Sequence, residues 1–75
     1  MTRLPRVTAA ELLSALHKDG WHTVRQRGSH IQLLHPTKPG RVTIASHSRD
    51  IIRLKTMLSI LERAGLNPEE LRRLL

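Results

Sequence analysis

The stretch WHTVRQRGSHIQLLHPTKPGRVTIA, residues 21–45, decides the fold. Here the apolar spacing changes from every third or fourth residue to every second, which marks strands between helices. Trp21 to Arg25, His30 to Leu34 and Arg41 to Ala45 are short runs with β-branched or large apolar residues, separated by turn formers. Gln26 to Ser29 can turn around Gly28. In Pro36-Thr37-Lys38-Pro39-Gly40 two prolines forbid a regular strand, so this segment is a second connection. Three antiparallel strands in a meander are the simplest reading. Side chains alternate along a strand, so Ile31 and Leu33 share one face while His30, Gln32 and Leu34 share the other. Val42 and Ile44 join the first set to line a core. His30 is thereby expected to face away from the core.

Outward from this stretch the helical period appears on both sides. Thr8-Ala9-Ala10-Glu11 is a capping box, followed by the stripe Leu12, Leu13 and Leu16. Val7 and Leu12 make a hydrophobic staple, and Gly20 supplies the stop, so a first helix is expected over Thr8 to Lys18. From about Arg53 to Ala64, Leu54, Met57, Leu58 and Leu61 fall at i, i+3, i+4 and i+7, and Gly65 ends the run. Asn67-Pro68-Glu69-Glu70 then starts a short last helix, with Asn67 as cap and Pro68 at its first position. The expected fold class is α+β, one domain over residues 1–75. Its order is α-β-β-β-α with a short extra C-terminal helix, and the helices pack on one face of a three-stranded antiparallel sheet. That order is the one used by double-stranded-RNA-binding domains, which grip a duplex by shape, 2′-hydroxyls and phosphates.

Composition narrows the class of partner. Thirteen Lys and Arg face six Asp and Glu, a formal charge of +7, and ten of the cations are Arg. The planar guanidinium fork suits bidentate phosphate contacts, so the balance points to a polyanion. Trp21 is the single aromatic residue, which excludes a base-stacking platform and leaves contacts to backbone and shape. Apolar runs are far too short to span a bilayer, and no membrane partner is expected. Arg3 and Arg6 are followed by no apolar h-region, so no signal peptide is expected. With no cysteine there is neither a disulfide framework nor a thiolate metal site, which fits a cytoplasmic location.

Trp21, Arg25-Gln26-Arg27-Gly28-Ser29-His30, His35-Pro36-Thr37-Lys38-Pro39-Gly40-Arg41-Val42-Thr43-Ile44 and His47 stand in a characteristic order. Leu58-Ser59-Ile60-Leu61-Glu62-Arg63-Ala64-Gly65-Leu66 and Glu69-Glu70 complete it. Over about Ala10 to Glu70 the chain resembles the HicA (YcfA-like) toxins of type II toxin–antitoxin systems. Two positions depart from the family's habit: Ala45 stands where a Pro is common, and Arg53-Leu54-Lys55-Thr56 replaces a Pro-Lys-Gly-Thr-like helix entry. The resemblance implies a double-stranded-RNA-binding-like fold, cleavage of mRNA leading to growth arrest, and a HicB-type antitoxin as partner. It also implies that His30 is the catalytic histidine, and it places His47 either at the RNA site or in the turn after the third strand.

The chemistry of the residues points the same way. An imidazole can act as base and then acid around neutral pH. RNA carries its own nucleophile, the 2′-hydroxyl, so no metal or other cofactor is required. Charge developing on the phosphate needs cations, and Arg25 and Arg27 stand just before the turn to supply them. Gly28 lets the backbone approach the nucleic acid, and the Ser29 hydroxyl or amide can hold a phosphate oxygen. Lys38, Arg41, Arg49 and Lys55 are candidates for further backbone contacts. His35 is expected as a strand-end residue, with His17 and His22 at the surface. The pairs His17/His22 and His30/His35 are five apart, which suits neither a helical zinc site nor one strand face, so no metal site is expected. Two other readings use the same residues: a non-catalytic RNA-binding module, and an adaptor that binds a protein through Leu71, Leu74 and Leu75.

Overall fold

The computed structural model describes residues 4–46 and 49–75. Its elements run α1 (Ala9–Lys18), β1 (His22–Arg27), β2 (His30–Leu34), β3 (Val42–Ala45), α2 (Leu54–Ala64) and α3 (Pro68–Leu74). This is the expected α+β order, with an antiparallel sheet in the sequence β1-β2-β3. The local signals at the helix ends account for their boundaries. Thr8 caps α1 through a complete box with Glu11, and Asn67 caps α3 through a complete box with Glu70.

Both long helices end in Schellman motifs. In α1 the Gly20 amide donates to His17 O and the Trp21 amide to Leu16 O, at 3.1 and 3.0 Å. In α2 Gly65 and Leu66 repeat the pattern on Glu62 and Leu61. Gly20 and Gly65 take the positive φ angles these turns demand, +108° and +67°. In each case the residue after the glycine, Trp21 or Leu66, is directed into the core, where both are buried.

One core joins Leu12 and Leu16 of α1, Ile31 and Leu33 of β2, Val42 and Ile44 of β3, Met57, Ile60 and Leu61 of α2, and Leu71 of α3. The alternation read for β2 and β3 is therefore present, and the helices cover that one face. Leu71 is fully buried and Leu74 packs partly against the core, so of the surface read as Leu71, Leu74 and Leu75 only Leu75 is exposed.

Three expectations shift. The first strand begins one residue later than Trp21 and runs on to Arg27, because Gly28 at φ +58° lets a two-residue turn close on the Arg27–His30 pair. The third strand likewise loses its first expected residue, Arg41. The stripe read on α2 is also rotated. Met57 and Leu61 are buried together with Ile60 and Ala64, but Leu54 and Leu58 are left 62% and 50% exposed. Among the described residues no helix is long and apolar enough to cross a membrane.

Candidate functional site

The face of the sheet turned away from the helices is open. Directly paired residues point to the same side of a sheet, so the register assigns its rows. Arg27, His30 and Ala45 form the first row, Arg25, Gln32 and Thr43 the second, and His22 with Leu34 the third. Arg25, Arg27, His30, Thr43 and Ala45 are exposed, and Gln32 is half-buried. Arg41, in sequence alternation with Thr43, reaches the second row and donates from Nη1 to Gln32 Oε1 at 2.8 Å.

A β-bulge makes this arrangement possible. Pairing steps from Thr23–Leu33 to Arg25–Gln32, which leaves Val24 without a partner position. In a regular strand Thr23 and Arg25 would share a face. The extra residue breaks that parity, so Thr23 keeps company with the core side while Arg25 and Arg27 turn outward beside His30. Trp21 can thus be buried a few residues before two arginines that are not.

The Gly28-Ser29 turn closes this end of the sheet. Gly28 has a positive φ and Ser29 does not, the signature of a type II′ hairpin turn, which takes glycine first. A Cβ added at Gly28 would meet no atom within 4 Å, so its surroundings are free for a ligand. Ser29 accepts a hydrogen bond on its carbonyl from the Ser46 amide at 2.6 Å, which ties the turn to the end of β3.

The sequence-predicted site residues divide accordingly. His30, Arg25, Arg27, Gly28, Ser29 and Arg41 are brought to one face and its adjoining turn. Lys38 is not. Its Nζ donates to Asp19 Oδ2 at 2.7 Å and to Ala64 O at 3.0 Å, binding the loop after β2 to the C-terminal ends of α1 and α2. A cation at two helix C-termini is favourably placed, and that structural role occupies its charge. Lys55 is exposed on the first turn of α2, in the helix layer, and Arg49 is exposed in the connection before it. His47 lies outside the described residues.

His35 has a structural place as well. Its Nδ1 accepts from the amides of Thr37 and Lys38, each at 3.1 Å, so the ring proton resides on Nε2, which donates to Asp19 O at 2.7 Å. The ring meets Trp21 edge-on with centroids 5.2 Å apart. His17 and His22 are exposed. Gln32 is the residue that the reading of the sequence passed over. The alternation placed it on His30's face, but its partner Arg41 lies on another strand's approach.

Comparison with curated proteins finds no match. A family model described as "HicA toxin of bacterial toxin-antitoxin" matches residues 9–66 of the 75, from the start of α1 to the end of the α2 Schellman turn and so across the whole basic face. The chain therefore belongs to the HicA toxin family of bacterial toxin–antitoxin systems.

Proposed function

We propose that this toxin is a metal-independent endoribonuclease that cleaves mRNA in the cytoplasm and is neutralised by a HicB-type antitoxin. The observation that carries the proposal is the outward row of Arg27 and His30, with Arg25 in the next row, on a sheet face that no helix covers. His30 removes the proton of a 2′-hydroxyl, and that oxygen attacks the adjacent phosphorus. The bond from phosphorus to the 5′-oxygen breaks as the new one forms. The departing oxygen takes a proton from solvent, leaving a 2′,3′-cyclic phosphate and a 5′-hydroxyl. Arg25 and Arg27 balance the charge on the phosphoryl oxygens in the transition state. Gly28 and Ser29 provide the backbone approach, and Arg41 a further cationic contact. The antitoxin would have to mask this basic face, for which an acidic surface is the matching chemistry.

Inducible expression of the wild type beside His30→Ala tests the reading. Wild type should arrest growth and fragment mRNA. The variant should lose about 10²–10⁴-fold in cleavage, the usual contribution of positioned acid–base chemistry, while still binding RNA. Cleavage and arrest that persist in His30→Ala would make the chain's action independent of His30. Binding lost only on Arg25→Glu and Arg27→Glu, with no cleavage by wild type, would identify a binding module instead.

A further inference from the structure

Gln32 occupies the middle of the open face, with Arg25 opposite it on β1 and Thr43 opposite it on β3. Its amide orientation is fixed by chemistry. A guanidinium has five N–H donors and no acceptor, so the group that Arg41 Nη1 contacts at 2.8 Å must be the amide oxygen. One of the oxygen's two lone pairs is thereby engaged, and Nε2 is left with two hydrogens to donate. Arg41 keeps further N–H bonds beside the same spot, and Arg25 stands in the same row on β1. Only the Thr43 hydroxyl and the remaining lone pair of Gln32 could accept. The second row is rich in donors and positively charged.

Such a surface discriminates between purines. A free glutamine reads adenine by donating to N7 and accepting from the N6 amine, whereas guanine offers two acceptors, N7 and O6. With the Arg41 guanidinium bonded to its oxygen, Gln32 has one lone pair left, and an N6 amine reaching for it would bring its own N–H hydrogens up against a cation. Guanine's edge, by contrast, meets N–H groups at both positions. Gln32 follows His30 by two residues on one strand face, about 7 Å along the strand. A base held at Gln32 would therefore sit beside, and not over, the reacting phosphate.

We propose that Gln32 and Arg41 form a base-reading subsite that takes guanine in single-stranded RNA and selects against adenine next to the scissile bond. The proposal rests on the RNA-cleaving reading of the same face, and it adds a determinant of where cleavage falls.

The test uses the full chain and octamers of 2′-O-methyl adenosine, in which the blocked 2′-oxygen cannot attack. One adenosine near the middle is replaced by guanosine or by inosine, which keeps N7 and O6 but lacks the 2-amine. Fluorescence anisotropy at low salt should show the guanosine and inosine octamers binding about five- to tenfold tighter than the all-adenosine one, within the range of a good base-edge contact. The double variant Gln32→Ala with Arg41→Ala, on an open face and outside the core, should bind all three alike. Gln32→Glu, which presents an acceptor, should shift the preference towards adenosine. Equal binding of the three octamers by wild type, or a guanosine preference undiminished in the double variant, overturns the subsite. Failure of every octamer to bind at low salt would overturn the RNA reading itself, a result distinct from binding without preference.

Discussion

Two amides and a carbonyl converge on the imidazole of His35, and they join two separate parts of the chain's path. Asp19 O ends α1, while Thr37 and Lys38 shape the loop between β2 and β3. Replacing the ring by a methyl group leaves all three without partners and removes the contact with Trp21. We expect His35→Ala to cost about 2–3 kcal/mol, since three hydrogen bonds at a half-buried ring are lost together and each contributes about 0.5–1.5 kcal/mol. The midpoint of urea unfolding would report it, and a shift no larger than that of an exposed His17→Ala would contradict the assignment.

The glycines at the two ends of β1 make a matched comparison. Gly28 has a strained φ but open space, so Gly28→Ala should cost roughly 1–2 kcal/mol, the left-handed penalty alone. At Gly20 the added Cβ would also lie 2.8 Å from His35 Nε2, so the same change should cost more. Equal losses in urea denaturation would mean that the ring gives way freely. His30's outward direction was legible from a period of two. The fate of Lys38 was not, because Asp19 stands 19 residues before it and Ala64 26 after.

At the scale of elements, what could be read was what the chain settles within four residues. The boxes at Thr8–Glu11 and Asn67–Glu70 are local and formed as expected. The extent of β1 was not readable, because the Val24 bulge exists only in relation to the register on β2. Nor was the covered side of α2: four apolar residues at helical spacing define a stripe, but packing against β3 selects which flank is buried. The start of α2 is a weak point of the fold. Its N-cap is Arg53, with no side-chain cap bond and no acidic residue in the first turn. Arg53→Asp should supply both a cap and a favourable charge at the positive end of the helix, worth about 1 kcal/mol. Thermal unfolding should move up by roughly 4–8 °C for a domain of this size. An unchanged midpoint would show that the first turn is already satisfied by another route.

For the molecule as a whole, charge sets the conditions under which the proposed RNA contact can be seen. A formal +7 drives attraction to any polyanion, but the open face concentrates three arginines, Arg25, Arg27 and Arg41, around one histidine. Each phosphate neutralised on a single strand contributes about −0.7 to the slope of log K against log salt, so three contacts predict a slope near −2. Arg27→Glu should flatten that slope as well as weaken binding. A slope close to zero in wild type would mean that phosphates are not what the arginines hold.

The bulge at Val24 has a further consequence, for the solubility of the protein. β1 is the outer strand of an open sheet, with unpaired backbone groups that another chain could extend. A bulge and flanking charges are the usual guards against such stacking. Arg25 and Arg27 therefore stand sentry over the strand as well as facing the proposed substrate. Alanine at both positions would strip that protection from a bulged but otherwise uncharged border. Glutamate keeps the border charged while reversing the attraction for RNA, and so separates loss of binding from the onset of aggregation.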